Sequence, residues 1–169
     1  QNYSIYFTQG CYAGSFDNRE TNPGQYTADC ISEVFAGIAT SAAGMISNSR
    51  YGWGVQGSTN GASQKIHRQY INALFGKDEY ELGWSLVDAK IANIPYTHNT
   101  PVMFWVIYNM NLFGCPATKV WTDTPQAITV NMPYLWPMQQ TQHQIDTDAE
   151  NVFLKIKQGD NLLYEDFSE

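Results

Sequence analysis

Tyr3-Ser4-Ile5-Tyr6-Phe7-Thr8, a run rich in aromatic and β-branched residues, breaks off at Gly10-Cys11-Tyr12-Ala13-Gly14, where a cysteine stands among glycines. Such a run reads as a buried strand, and the cysteine then sits at its tip. In an α/β sheet the carboxyl ends of the strands are where ligands collect, and glycine lets backbone approach closely there. Cys11 is therefore placed as a nucleophile would be. A thiol nucleophile also needs a base, and no histidine precedes residue 11. The competing reading is a buried, inert thiol, since free cysteine is a common core residue.

A polar loop over 15–26 follows, and Thr27 or a neighbour is placed to cap a helix over about 28–38. Ile31, Val34, Phe35 and Ile38 fall on one helical face, which predicts packing on a sheet. Ala42-Ala43-Gly44-Met45-Ile46-Ser47 then reads as a second strand covered on both faces, opening into Asn48-Ser49-Arg50-Tyr51-Gly52-Trp53-Gly54. Strand, helix, strand is a βαβ unit, whose right-handed crossover makes the strands parallel and brings both carboxyl-end loops to one edge. Cys11 and Trp53 are thus expected to be neighbours.

Helical spacing continues over about 62–75 (Ile66, Tyr70, Leu74) and 79–93 (Leu82, Leu86, Ala89), and over 101–113, which is apolar nearly all round and expected to be deeply buried. Gly114-Cys115-Pro116 ends the last helix, and Thr118-Lys119-Val120-Trp121 reads as a short edge strand. Beyond Asp123-Thr124-Pro125 the texture changes. Ala127–Val130 and Val152–Ile156 read as short strands opening a β-sandwich. The segment is shorter than the ~100 residues of an immunoglobulin-like sandwich, so completion by another chain or by further sequence is expected. The predicted organisation is α/β over 1–123, followed by an incomplete immunoglobulin-like β module over 124–169.

Nine basic residues against sixteen acidic ones give a net charge of −7, which disfavours nucleic acid or an anionic membrane surface as partner. The longest apolar stretch, 101–113, is too short and too interrupted by Asn to span a bilayer. No leader-peptide pattern is read in this sequence, so any export signal is expected to have been removed or to lie outside it. Few lysines and arginines, with much Asn, Gln, Thr, Tyr and Trp, suit an exported protein. The three cysteines lack the spacing of a zinc site, and without a Cys-x-x-Cys pair a redox role has no support. Cys30 reads as helix core, while Cys115 could pair with it or stay free.

Each histidine has a bland reading: His67 lies mid-helix, and His98 and His143 lie in polar loops, so surface or satisfied imidazoles are expected. Asp17 and Asn18 could hold calcium or orient their loop, a turn cap being the commoner role. Arg50 could select an acidic side chain, although a bond to a loop carbonyl is commoner. Asn2-Tyr3-Ser4 fits a glycosylation pattern at a strand start.

Taken together, the blocks 7–18 (Phe7-Thr8-Gln9-Gly10-Cys11-Tyr12-Ala13-Gly14-Ser15-Phe16-Asp17-Asn18), 29–33 (Asp29-Cys30-Ile31-Ser32-Glu33), 46–54 (Ile46-Ser47-Asn48-Ser49-Arg50-Tyr51-Gly52-Trp53-Gly54) and 112–116 (Leu112-Phe113-Gly114-Cys115-Pro116) resemble the carboxy-terminal half of a gingipain-type cysteine peptidase of the caspase-like clan. The resemblance covers roughly residues 3–123. It implies a secreted or surface bacterial endopeptidase of caspase–haemoglobinase fold, with a largely parallel sheet flanked by helices and an immunoglobulin-like module behind. Cys11 would be the nucleophile, with backbone at Gly10 and Cys11 facing the oxyanion. Asn48, Tyr51 and Trp53 would line the substrate pocket. The family's catalytic histidine precedes a glycine on the strand before the nucleophile strand, hence before Gln1, so a companion amino-terminal chain or segment is expected. This chain alone is expected to be inactive, with no cofactor beyond an optional calcium. Cys115 stands where relatives are expected to carry an acidic residue, in a turn remote from the chemistry. The rival reading is a non-catalytic peptide-binding or adhesion module on the same scaffold.

Overall fold

The computed structural model describes residues 4–18, 28–124, 127–132, 144–150 and 152–168; Asn2, Thr27 and His143 lie outside them. The chain divides into two units, Gln1–Asp123 and Thr124–Glu169.

In the first unit, β1 (Ser4–Phe7) and β2 (Ala42–Asn48) pair in parallel, with Phe7 opposite Ile46. This is the pairing that the crossover rule predicts. The third strand, β3 (Met110–Gly114), runs antiparallel on the other side of β2, so the sheet has the order β1-β2-β3 and is mixed rather than largely parallel among the described residues. Residues Gly44 to Asn48 of β2 are all buried.

The crossover helix α1 is Ile31–Gly37, shorter than the predicted 28–38. Cys30 is its N-cap rather than a core residue: its backbone N–H donates to the Glu33 carboxylate at 2.9 Å. The face that meets the sheet also differs from the predicted one. Ile31, Val34 and Ile38 are exposed, whereas Ser32 is fully buried. The reason is a polar contact. The Ser32 hydroxyl lies 2.7 Å from the Ser47 hydroxyl and donates to the Ala13 carbonyl at 2.8 Å. A small hydroxyl residue lets the helix come close to β2, and Phe35 packs edge-on against Tyr6 beside it.

Three helices complete the unit: α2 (Ala62–Gly76), α3 (Leu82–Asn93), continued by a 3-10 turn over Ile94–Thr97, and α4 (Pro101–Asn109). The apolar run over 101–113 is not one helix, because it breaks at Asn109 and finishes as β3. An unbroken apolar run fits helix and strand equally well, and the free edge of β2 decides for strand. Nor is α4 deeply buried on every side. Met103, Val106 and Asn109 face inward, while Phe104, Trp105 and Tyr108 are exposed. The core is Ile46 of the sheet against Ile66, Tyr70 and Leu74 of α2, Leu82 and Leu86 of α3, Met103 and Val106 of α4, and Met110. Each fully buried aliphatic side chain here contributes about 1.5–3 kcal/mol.

The segment 118–121 forms a single bridge, Lys119 to Glu81, rather than a strand. Its carbonyls and those just before it have another use. Thr118 and Pro116 accept the N–H groups of Leu82 and Gly83, donors that a helix start leaves without partners.

In the second unit, β4 (Val130–Asn131) pairs with β5 (Asp146–Thr147), and β6 (Val152–Gln158) pairs with β7 (Asn161–Ser168) in an antiparallel hairpin. Gly159 takes φ +61° at its turn, a conformation that favours glycine. The strand predicted over 127–130 is reduced to its end. Ile128, Val130, Val152, Leu154 and Tyr164 line a groove of about 1080 Å³ within this unit. No helix among the described residues is long and apolar enough to cross a membrane.

Candidate active site

Beyond Phe7 the ladder continues for one bond, Thr8 N–H to the Ile46 carbonyl at 2.9 Å. The chain then arches over the end of β2. Tyr12 N–H donates to the Arg50 carbonyl at 2.8 Å and Gly14 N–H to the Asn48 carbonyl at 2.9 Å. Tyr12 takes φ 59°, an uncommon left-handed conformation for a residue with a side chain. The arch lifts Cys11 into solvent, where its Sγ donates to the Gly52 carbonyl at 3.7 Å. The thiol is exposed at the carboxyl edge of the sheet, beside the residue that precedes Trp53.

That closeness depends on Gly52. A Cβ there would collide with the backbone carbonyl of Gln9, so only glycine lets the loop lie against the segment that carries Cys11. Underneath is a layer of buried amides. Asn48 is fully buried and donates through Nδ2 to the Gly10 carbonyl at 3.4 Å, and Asn109 Nδ2 donates to the Tyr51 carbonyl at 3.0 Å. Asn48 therefore supports the Cys11 arch from below instead of facing a ligand as the sequence suggested. The other two predicted pocket residues do face outward. Tyr51 and Trp53 are each 41% exposed, and the rings of Tyr12, Tyr51 and Trp53 form an edge-to-face series at 5.2 Å and 6.4 Å.

Two polar contacts bind the loops together. Arg50 grips both carboxylate oxygens of Asp17, at 3.0 and 2.5 Å, and also donates to the Ser49 carbonyl at 2.7 Å. Asp17 thus orients its own loop, and the Arg50 bond holds its carboxyl below the usual carboxylate range. His67 of α2 stacks on Phe7 with ring centres 4.1 Å apart and lies 3.0 Å from Gln9 through Nδ1. It is a satisfied histidine, and burial pushes its pKa down. Among the described residues no histidine hydrogen-bonds Cys11. Cys30 and Cys115 are both free thiols, and burial pushes the Cys30 thiol up. Gln9, Ser32, Asn109 and His67 carry no sequence signal for these supporting roles, because each depends on a partner between 15 and 58 positions away.

The exposed Cys11 thiol stands at the edge of an α/β sheet against a glycine-containing loop, in a cysteine-peptidase-type domain. The chain belongs to Peptidase family C25, whose sequence profile matches residues 1–121. Its fold is similar to that of the Arg specific cysteine proteinase gingipain R, with a TM-score of 0.65 at 12% identity over 99% of this chain. The chain spans 37% of the length of that protein. No curated protein matches the sequence.

Proposed function

We propose that the chain carries the nucleophile half of a secreted or surface cysteine endopeptidase with a caspase-like catalytic domain, acting on peptide or protein substrates. The observation that carries this reading is the exposed Cys11 Sγ, 3.7 Å from the Gly52 carbonyl at the sheet edge, in a chain of Peptidase family C25. In the reaction the Cys11 thiolate attacks the scissile carbonyl, the C–N bond breaks, and an imidazolium gives its proton to the leaving amine. Water then releases the acyl group and returns the thiol. The Gly10 N–H already donates to Thr8 Oγ1 at 3.1 Å. The Cys11 N–H makes no bond among the described residues, so it is the donor left for the oxyanion.

The imidazole comes from sequence outside this chain, in an amino-terminal segment or companion. Two observations support this: among the described residues no histidine bonds Cys11, and β1 pairs with a strand on one side only, with Tyr6 exposed, an edge that is a template for further pairing. The strands beyond Thr124 fit the start of an immunoglobulin-like module. The scheme calls on no cofactor.

The test uses the polypeptide as its gene encodes it, treated at neutral pH with a peptidyl acyloxymethyl ketone. A single adduct at Cys11, lost in Cys11→Ala together with hydrolysis of a peptide amide, is expected. Adducts at Cys30 or Cys115 with Cys11 unmodified would refute it. The edge strand and the exposed aromatic series also fit a non-catalytic peptide-binding module, whose signature is saturable peptide binding with no adduct.

A further inference from the structure

We infer that Ser63 is the positioning residue that fixes the Trp53 indole as a rigid wall for the bound peptide, an inference that rests on the peptidase reading above. Ser63 lies in the first turn of α2 and is 1% exposed. Its hydroxyl accepts the Trp53 N–H at 3.0 Å, and its own N–H donates to the Trp53 carbonyl at 3.0 Å. Both polar backbone groups of one loop residue are therefore held by one buried residue. The arrangement also satisfies α2, since the Ser63 N–H belongs to the helix start and has no partner within the helix.

The loop has no room to retreat. A Cβ on Gly61, the residue capping α2, would come within 2.6 Å of the Gly54 Cα, so the backbone after Trp53 lies directly on the helix end. With its backbone clamped, Trp53 still leaves 41% of its surface exposed, and its ring meets Tyr51 edge to face. The residue before it, Gly52, presents its carbonyl to the Cys11 thiol. Ser63 thus ties an outward-facing indole to a fixed point one residue from the reacting sulfur. A backbone already held in place lowers the ordering cost when a peptide binds, which favours affinity.

The inference separates binding from chemistry. In the full gene-encoded polypeptide, alkylation of Cys11 is followed with a peptidyl acyloxymethyl ketone and with iodoacetamide, which is too small to use the wall. Ser63→Ala removes one hydrogen bond to Trp53, and the half-saturating concentration of the peptidyl reagent rises about fivefold, while its maximal rate and the iodoacetamide rate hold. Trp53→Ala weakens binding at least as much, and adding Ser63→Ala to it changes nothing further, because the two residues act as one unit. Amide hydrogen exchange at Trp53 accelerates in Ser63→Ala. An equal slowing of both reagents, or a full Ser63→Ala effect persisting beside Trp53→Ala, overturns the inference. If the peptidyl reagent fails to modify the unsubstituted protein, the peptidase reading falls. Ser63 is then judged by the dissociation constant of the same peptide with an unreactive end: an unchanged constant in Ser63→Ala overturns its role, and a fivefold rise upholds it.

Discussion

Replacing Gly52 by alanine tests whether the thiol and the loop beside it form one rigid frame. The new Cβ would collide with the Gln9 carbonyl oxygen and come within 2.9 Å of Asn48 Nδ2 and 3.1 Å of the Gln9 carbonyl carbon. Two of these obstacles are backbone of the segment that carries Cys11, and the third is a fully buried side chain. None of them yields by a simple rotamer change, so the loop must lift. Overpacking of this kind costs about 1–3 kcal/mol. A unit ending at Asp123 has an unfolding entropy of about 0.26 kcal/mol/K at ~2.1 cal/mol/K per residue, so the melting temperature drops by roughly 4–12 °C. The lifted loop also carries the Gly52 carbonyl away from Cys11, and alkylation by a peptidyl electrophile slows. Gly54→Ala is the matched control, because a Cβ there meets nothing within 4 Å and the residue is not at positive φ. It should change stability by less than about 0.5 kcal/mol. Thermal melts by circular dichroism and alkylation rates on the three proteins are the assays. A Gly52→Ala protein that melts with the unsubstituted one, or two variants with equal losses, would refute the close-approach argument.

Two further outcomes concern protons. Burial depresses the His67 pKa, so its contribution to stability is complete above the unfolded value of about 6.5 and is lost as pH falls through the folded value; urea midpoints should fall with acidification, and His67→Phe, which keeps a ring against Phe7, should flatten that slope. The Asp17 carboxyl is also depressed, first by its hydrogen bond to Arg50. Its contribution is therefore present above about pH 3.9 and lost as pH falls through the lower folded value. Asp17→Asn should remove that part of the acid dependence, and high salt should weaken it in the unsubstituted protein; an identical acid profile in the variant would show that the pair does not tie the arch to its loop.

What the sequence determined by itself is the local grammar. The aromatic run ending at Gly10-Cys11, the small apolar run over 42–47, and the four-residue spacing of Ile66, Tyr70 and Leu74 specify strand, strand and helix through periods that each segment carries alone. A strand–helix–strand crossover then joins β1 and β2 as parallel neighbours and puts Cys11 on the same edge as the loop holding Trp53.

Tertiary structure decided which face each element uses and where an apolar run stops. Asn109 divides the segment over 101–113 because β2 has a free edge for Met110–Gly114 to join, and nothing within the run specifies that edge. The crossover helix buries Ser32 and leaves Ile31 exposed because Ser47 offers a hydroxyl from the neighbouring strand. Asn48 passes from candidate wall to buried support, and Ser63 becomes the anchor of Trp53. In each case a polar group is satisfied by one far along the chain. Removing such groups from water is costly without a partner, and only the folded chain sets which partner is in reach.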